Sequence, residues 1–149
     1  ETINTPSMLC VEDYLDALLW AQKIGGLKAL MARADANTKV ITDFIAANDW
    51  IANLAVKPET ASNTSVCLKI VDKDVEALDA DGQAAFAKGV VALLEKEAVA
   101  YDIGAYRDAP SGLRIWAGAT IETADMEKLM PWLSWAFETQ KATLSQAAA

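Results

Sequence analysis

A chain of 149 residues, 53% hydrophobic and 23% charged, has the size and make-up of one globular domain with a core of its own. Its formal net charge of −8 excludes the basic footprint that displaces counterions from nucleic acid, and no Lys/Arg run interrupts that balance. With no histidine, a Ser-His triad, a histidine zinc site and an imidazole base are all excluded within the chain. Cys10 and Cys67 lie far apart without metal-ligand spacing and read as two buried thiols acting as small hydrophobes, so no metal site is expected. No apolar run is long enough to span a bilayer, and the N-terminus has neither a basic segment nor an apolar h-region; the expected location is cytoplasmic.

Glu1 is not an initiator methionine, and the chain reads as the continuation of something longer. Thr5 precedes Pro6 and is therefore pushed toward extended backbone, which predicts a loop with the Asn4 and Thr5 side chains available, and Ser7 as a helix cap. Over residues 8–24, Leu9, Val11, Tyr14, Leu15, Leu18 and Leu19 wrap more than one narrow stripe. Such a helix is expected to be covered on much of its girth, by the rest of the chain or by a second domain or subunit. Gly25-Gly26 breaks it, and Leu27, Leu30, Met31, Ala34, Ile41, Phe44 and Ile45 then follow the spacing of an amphipathic helix to about Asn48.

Residues 49–56 and 65–71 are short and β-like, separated by a turn-rich connector, and are expected to pair antiparallel. Asp79 or Asp81 starts a third helix with Phe86, Val90, Leu93 and Leu94 inward, ending near Ala98. Residues 99–105 and 113–117 read as two further strands. Thr123 begins the last helix, with Met126, Leu129, Met130, Leu133 and Phe137 inward; Pro131 should bend or split it, and the tail after Leu144 should fray. That order predicts an α+β two-layer sandwich, a small mixed or antiparallel sheet with helices on one face.

Residues 100–118 carry the most chemistry. Arg107 closes one β-like run and is followed by the turn residues Asp108, Pro110, Ser111 and Gly112; Arg114 opens the next run. Two guanidinium groups at the ends of adjacent strands can face one pocket, each gripping a carboxylate or phosphate through two parallel hydrogen bonds, which suits a doubly anionic small molecule. The other reading is two surface arginines paired with the chain's many acids.

Ile3-Asn4-Thr5-Pro6-Ser7-Met8, Gly25-Gly26-Leu27, Asn63-Thr64-Ser65-Val66-Cys67-Leu68 and Tyr106-Arg107 followed by Ser111-Gly112-Leu113-Arg114 occur in the order found in the phosphoserine aminotransferase family. The chain resembles the C-terminal part of that family over its whole length. It departs from the usual loop motif in having Tyr106 for a histidine, one extra spacer residue around Asp108-Ala109-Pro110, and Ile115-Trp116 after Arg114. The resemblance implies a pyridoxal 5'-phosphate enzyme, a homodimer of the fold type I, class V aminotransferase group. Its reaction moves an amino group between glutamate and 3-phosphohydroxypyruvate, giving phosphoserine and 2-oxoglutarate for serine biosynthesis, with pyridoxine biosynthesis a further role left open.

By the same resemblance, Asn4 and Thr5 hold the cofactor phosphate across the dimer interface, Arg114 binds the substrate α-carboxylate, and Arg107 faces the substrate phosphate. Residues 1–25 correspond to an interface and interdomain segment and residues 26–149 to the small C-terminal domain, with the catalytic large domain lying upstream. The lysine that carries the cofactor also lies upstream in the family. None of Lys23, Lys28, Lys39, Lys57, Lys69, Lys73, Lys88 or Lys96 sits in a matching motif. No catalytic residue is therefore expected in this chain, and alone it should be inactive. Two other readings stay open: a fold type I aminotransferase acting on serine or alanine, and a non-catalytic α+β module that holds an anionic metabolite.

Overall fold

A computed structural model describes residues 3–147, and the side chains of residues 3–144. Two helices, α1 (Met8–Lys23) and α2 (Gly26–Ala47), lead into strand β1 (Ile51–Asn53), a 3-10 turn at Pro58–Thr60 and strand β2 (Ser65–Ile70). A short helix α3 (Lys73–Glu76), helix α4 (Ala80–Lys96), strand β3 (Leu113–Trp116) and helix α5 (Thr123–Ala147) complete the chain. The sheet order is β1-β2-β3, antiparallel throughout. Alternation along the strands sends Val66, Leu68, Leu113 and Ile115 to a buried face and leaves Ser65, Cys67, Arg114 and Trp116 on the other.

Helices cover the buried face, giving the expected α+β two-layer arrangement. Residues of α2, α4 and α5 meet those of the sheet in one cluster that includes Ile41, Trp50, Val90, Leu94, Leu133 and Phe137. Trp50 stacks on Phe137 with ring centroids 4.0 Å apart and planes 7° from parallel, and Phe86 meets Phe137 edge-on at 5.9 Å. Burying an aromatic side chain of this kind contributes about 1.5–3 kcal/mol, so this trio is a major anchor of the helix layer on the sheet.

One polar residue lies at full depth. Asn37 is completely buried, and its amide donates to the carbonyls of Ala117 (3.2 Å), Gly118 (3.2 Å) and Ile121 (3.0 Å) while its oxygen accepts from the Thr123 hydroxyl (2.7 Å). One turn earlier on the same face, Arg33 donates from Nε to the Ala119 carbonyl at 2.7 Å and pairs with Glu122 at 2.6 Å. Together they fasten α2 to the segment between β3 and α5.

Five expectations need correction. Residues 99–105 do not form a strand: Ala98 and Asp102 take positive φ values of 56° and 52°, which turn the backbone twice, and only Gly104 bridges to Leu113. Of the bend or split expected at Pro131, the split does not occur: α5 is continuous, and the flanking Met126, Leu129, Met130 and Leu133 are buried and hold both halves to the core; beyond Leu144, where fraying was expected, the helix runs to Ala147, and the last two residues lie outside the described ones. The cysteines are not two buried thiols, since Cys10 is exposed and Cys67 half-buried. Cys10 sits on α1, which packs on α2 and buries none of its residues. The inward stripe of α2 likewise starts only at Ala34, with Leu27 and Met31 exposed. Among the described residues, no helix is long and apolar enough to cross a membrane.

Helix α3 is capped by Asp72, whose carboxylate accepts from the backbone N–H groups of Asp74 (3.1 Å) and Val75 (3.4 Å) and from the Lys141 ammonium of α5 at 2.6 Å. Burial pushes the Asp72 carboxyl up, but the hydrogen bonds from Lys141, Asp74 and Val75 outweigh it and hold the pKa below the ordinary 3.8. The stability this carboxylate contributes is thus present above 3.8 and lost as pH falls through the lower folded value. The hydrogen bond to Asp72 raises Lys141 above 10.5, against a smaller desolvation, so its contribution is complete below 10.5 and lost as pH rises through the folded value. Asp72→Ala is expected to cost α3 about 1 kcal/mol of local stability through loss of the cap. Amide exchange at Asp74 and Val75 should quicken accordingly, and unchanged exchange would remove the capping role.

Candidate functional site

Arg114 owes its position to strand register. Its Cα pairs with that of Cys67 across β2 and β3, on the sheet face that the helices leave uncovered. Two residues earlier, Gly112 runs so close to β2 that a Cβ there would collide with the Leu68 carbonyl oxygen, so only glycine lets the chain enter β3 at this point. On the far edge of β3, the Arg114 N–H donates to the Ile103 carbonyl at 2.8 Å. That bond returns the 102–106 segment to the arginine.

Two side chains flank the guanidinium. Asp102 Oδ2 accepts from Nη2 at 3.0 Å, the Tyr106 ring lies 5.3 Å from Cζ, and Nε is buried without an acceptor. The Arg114 side chain is 24% exposed, that of Asp102 89%. Arg107 is exposed and forms no ion pair among the described residues. It lies in a turn in which the Ala109 N–H donates to the Tyr106 carbonyl at 3.1 Å, and not at a strand end as expected.

Both arginines nevertheless line one open depression of about 600 Å³, together with Asp102, Tyr106 and Asp108. A second, more enclosed cavity of about 250 Å³ lies against Arg114, with Leu54, Cys67, Tyr106 and Pro110 among its walls. An anion with an apolar body therefore meets two cations at the surface and an apolar recess beside one of them.

Asn4 and Thr5 lie apart from this site, in an exposed segment ahead of α1, and neither lines the arginine cavities. The Thr5 N–H donates to Asn4 Oδ1 at 2.8 Å, which leaves the Asn4 amide N–H groups and the Thr5 hydroxyl as donors. Ser7 occupies the N-cap position of α1, but its side chain makes no capping bond. Lys141, raised in pKa by Asp72, is held charged, the opposite of what a nucleophilic amine requires. Sequence reasoning missed Asp102 and Cys67 as neighbours of Arg114. The signal for Cys67 was the β2–β3 pairing; Asp102 had none, since a turn brings it back.

Over 140 residues, 94% of the chain, the sequence is 52% identical to phosphoserine aminotransferase of Methanosarcina mazei and 51% identical to that of Methanosarcina barkeri. The similarity falls on the C-terminal part of those enzymes. The chain spans 35% of the length of each of these relatives. No protein-family model matches it. Among solved structures, phosphoserine aminotransferase from Bacillus circulans subsp. alkalophilus superposes on 92% of the chain with a TM-score of 0.75 at 17% identity, covering 34% of that protein. Another phosphoserine aminotransferase, studied for radiation damage of its Schiff base, matches 91% of the chain with a TM-score of 0.74 at 16% identity, covering 35% of its own length. At such low identity these structures speak for the fold, which is the same arrangement of small sheet and helices.

Proposed function

We propose that this chain is the C-terminal segment of a pyridoxal-phosphate-dependent phosphoserine aminotransferase that exchanges an amino group between glutamate and 3-phosphohydroxypyruvate in serine biosynthesis. The observation that carries this reading is that Arg107 and Arg114 line one depression, on a segment 52% identical to enzymes of that name. Both amino acids present an α-carboxylate, which suits the planar fork of Arg114. Only phosphoserine and its keto acid present a phosphate as well, which suits the exposed cation of Arg107.

The donors left on Asn4 and Thr5 fit a phosphate, an acceptor-only group. In the proposed enzyme these two residues hold the cofactor phosphate of the neighbouring subunit in a homodimer. When bound, pyridoxal phosphate supplies an electron sink for charge developing at the substrate Cα. The lysine that carries it belongs to the rest of the protein, so this chain binds and orients but does not transfer the proton. Residues 1–25 serve as the interface and interdomain segment, consistent with a helix α1 that buries no residue against the rest of the chain. Residues 26–149 form the small domain, and the location is cytoplasmic.

The test uses the complete protein, mixed with glutamate and 3-phosphohydroxypyruvate while cofactor absorbance and phosphoserine are followed. Turnover of serine or alanine with no turnover of phosphoserine would move the protein to another aminotransferase of the same fold. A colourless protein that binds anions without reaction would make it a non-catalytic module. Within the enzyme, Thr5→Ala removes one hydrogen bond to a charged group and is expected to weaken cofactor binding by about 1.5–3 kcal/mol, more so on dilution of the dimer. Unchanged cofactor affinity would leave Thr5 as a loop residue only.

A further inference from the structure

We propose that Asp102 is a built-in competitor for Arg114: its carboxylate holds one edge of the guanidinium and is displaced by the carboxylate of the incoming substrate, so that it sets how tightly both amino acids bind. The inference rests on the reading of Arg114 as the carboxylate-binding residue. Asp102 makes a one-point contact, Oδ2 to Nη2 at 3.0 Å, and leaves the neighbouring Nε buried with no acceptor. A buried donor without a partner is costly, and once the Asp102 side chain swings away and uncovers that edge, a carboxylate spanning Nε and Nη2 would satisfy both. Substrate therefore exchanges a single hydrogen bond for a forked pair.

The backbone that carries Asp102 is held independently of its side chain. The segment carrying Asp102 is fastened to β3 by the Arg114 N–H and Ile103 carbonyl and by the bridge between Gly104 and Leu113. The Asp102 side chain is 89% exposed, so it can turn into solvent while its backbone stays pinned. Its φ of 52° lies in the left-handed region, where the chain turns back toward β3. Asp108 shares the depression but makes no ion pair with Arg114, and Tyr106 stacks on the guanidinium without offering it a charge. Asp102 is thus the group that a substrate carboxylate must replace. An exposed pair of this kind is weak, which limits the expected effect to about two- to fivefold.

The test replaces Asp102 in the complete holoenzyme with asparagine and, separately, glycine, both of which tolerate the left-handed backbone. With Asp102→Asn and Asp102→Gly, KM for glutamate and for phosphoserine should fall together by about two- to fivefold, kcat should not change, and the gap from wild type should close as salt is raised. Glutarate, a dicarboxylate with no amino group to transfer, gives a readout independent of turnover, and calorimetry should show its Kd falling by the same factor. If Asp102 merely positions Arg114, KM and the glutarate Kd rise instead. Raised or unchanged values, or no glutarate binding by any of the proteins, overturn the proposal. Absent transamination with an intact glutarate effect would overturn the proposed reaction and leave the competition standing.

Discussion

Arg114→Lys in the complete enzyme is expected to lower kcat/KM for glutamate and phosphoserine alike, by about 1.5–3 kcal/mol, roughly ten- to 150-fold. Lysine keeps the charge but loses the planar fork, and a point charge on a flexible four-carbon stem cannot reproduce two parallel hydrogen bonds. Because the α-carboxylate is common to both substrates, both half-reactions should suffer equally. Arg107→Ala should behave differently. In the proposed enzyme only phosphoserine would bring a phosphate to the depression that Arg107 lines, so its half-reaction should lose about 2 kcal/mol, far more than that of glutamate. Single-turnover absorbance changes of the bound cofactor, taken with each amino acid separately, make the comparison. Equal losses for both substrates in the Arg107 variant would remove the phosphate assignment. No loss in either variant would return both residues to surface charges, Arg114 then being no more than the partner of Asp102.

Gly112→Ala is expected to be the most damaging single methyl group in the domain. The added Cβ would overlap the Leu68 carbonyl oxygen and press on the Leu68 carbonyl carbon at 3.2 Å and the Lys69 Cα at 3.4 Å. All three are backbone atoms of β2, so no side chain can rotate away and the two strands must move apart. That places the cost at the upper end of overpacking, about 3 kcal/mol. Arg114 lies two residues further along, in β3, so substrate affinity should fall with stability. Gly104→Ala is the control: its Cβ would meet nothing closer than Val91 Cγ2 at 3.8 Å, and its effect should stay within about 0.5 kcal/mol. Denaturant unfolding of both variants decides the matter, and equal midpoints would show that the close approach at Gly112 carries no strain.

Wherever periodicity carries the information, the sequence was a good guide. Helices α2, α4 and α5 and strands β2 and β3 follow from spacing alone, and turn residues 108–112 mark the connection that brings the arginines together. Residues 99–105 misled because their composition is strand-like, while the turns at Ala98 and Asp102 depend on positive φ values with no glycine to announce them. Helix α3 is too short for a periodic pattern. Asn37 could have been anticipated: the spacing 34, 37, 41 puts it on the buried stripe of α2, and a polar group at that depth demands partners. Partner identity comes only from the segment after β3. Cys67 and Asp102 became neighbours of Arg114 through register and a turn, which single residues do not advertise.

The Asn37 clamp also bears on how the domain is made. Its acceptors at Ala117 and Gly118 lie 80 and 81 residues further along the chain, and the hydroxyl that serves its oxygen, on Thr123, lies 86 further. During synthesis α2 is complete long before any of them exists, and Trp50 waits still longer for the face of Phe137. Until α5 emerges, a fully polar amide and a bare indole must stay in water on what will become the interior. The early helices and the β1–β2 hairpin are therefore expected to assemble only loosely until α5, translated after them, packs onto the sheet.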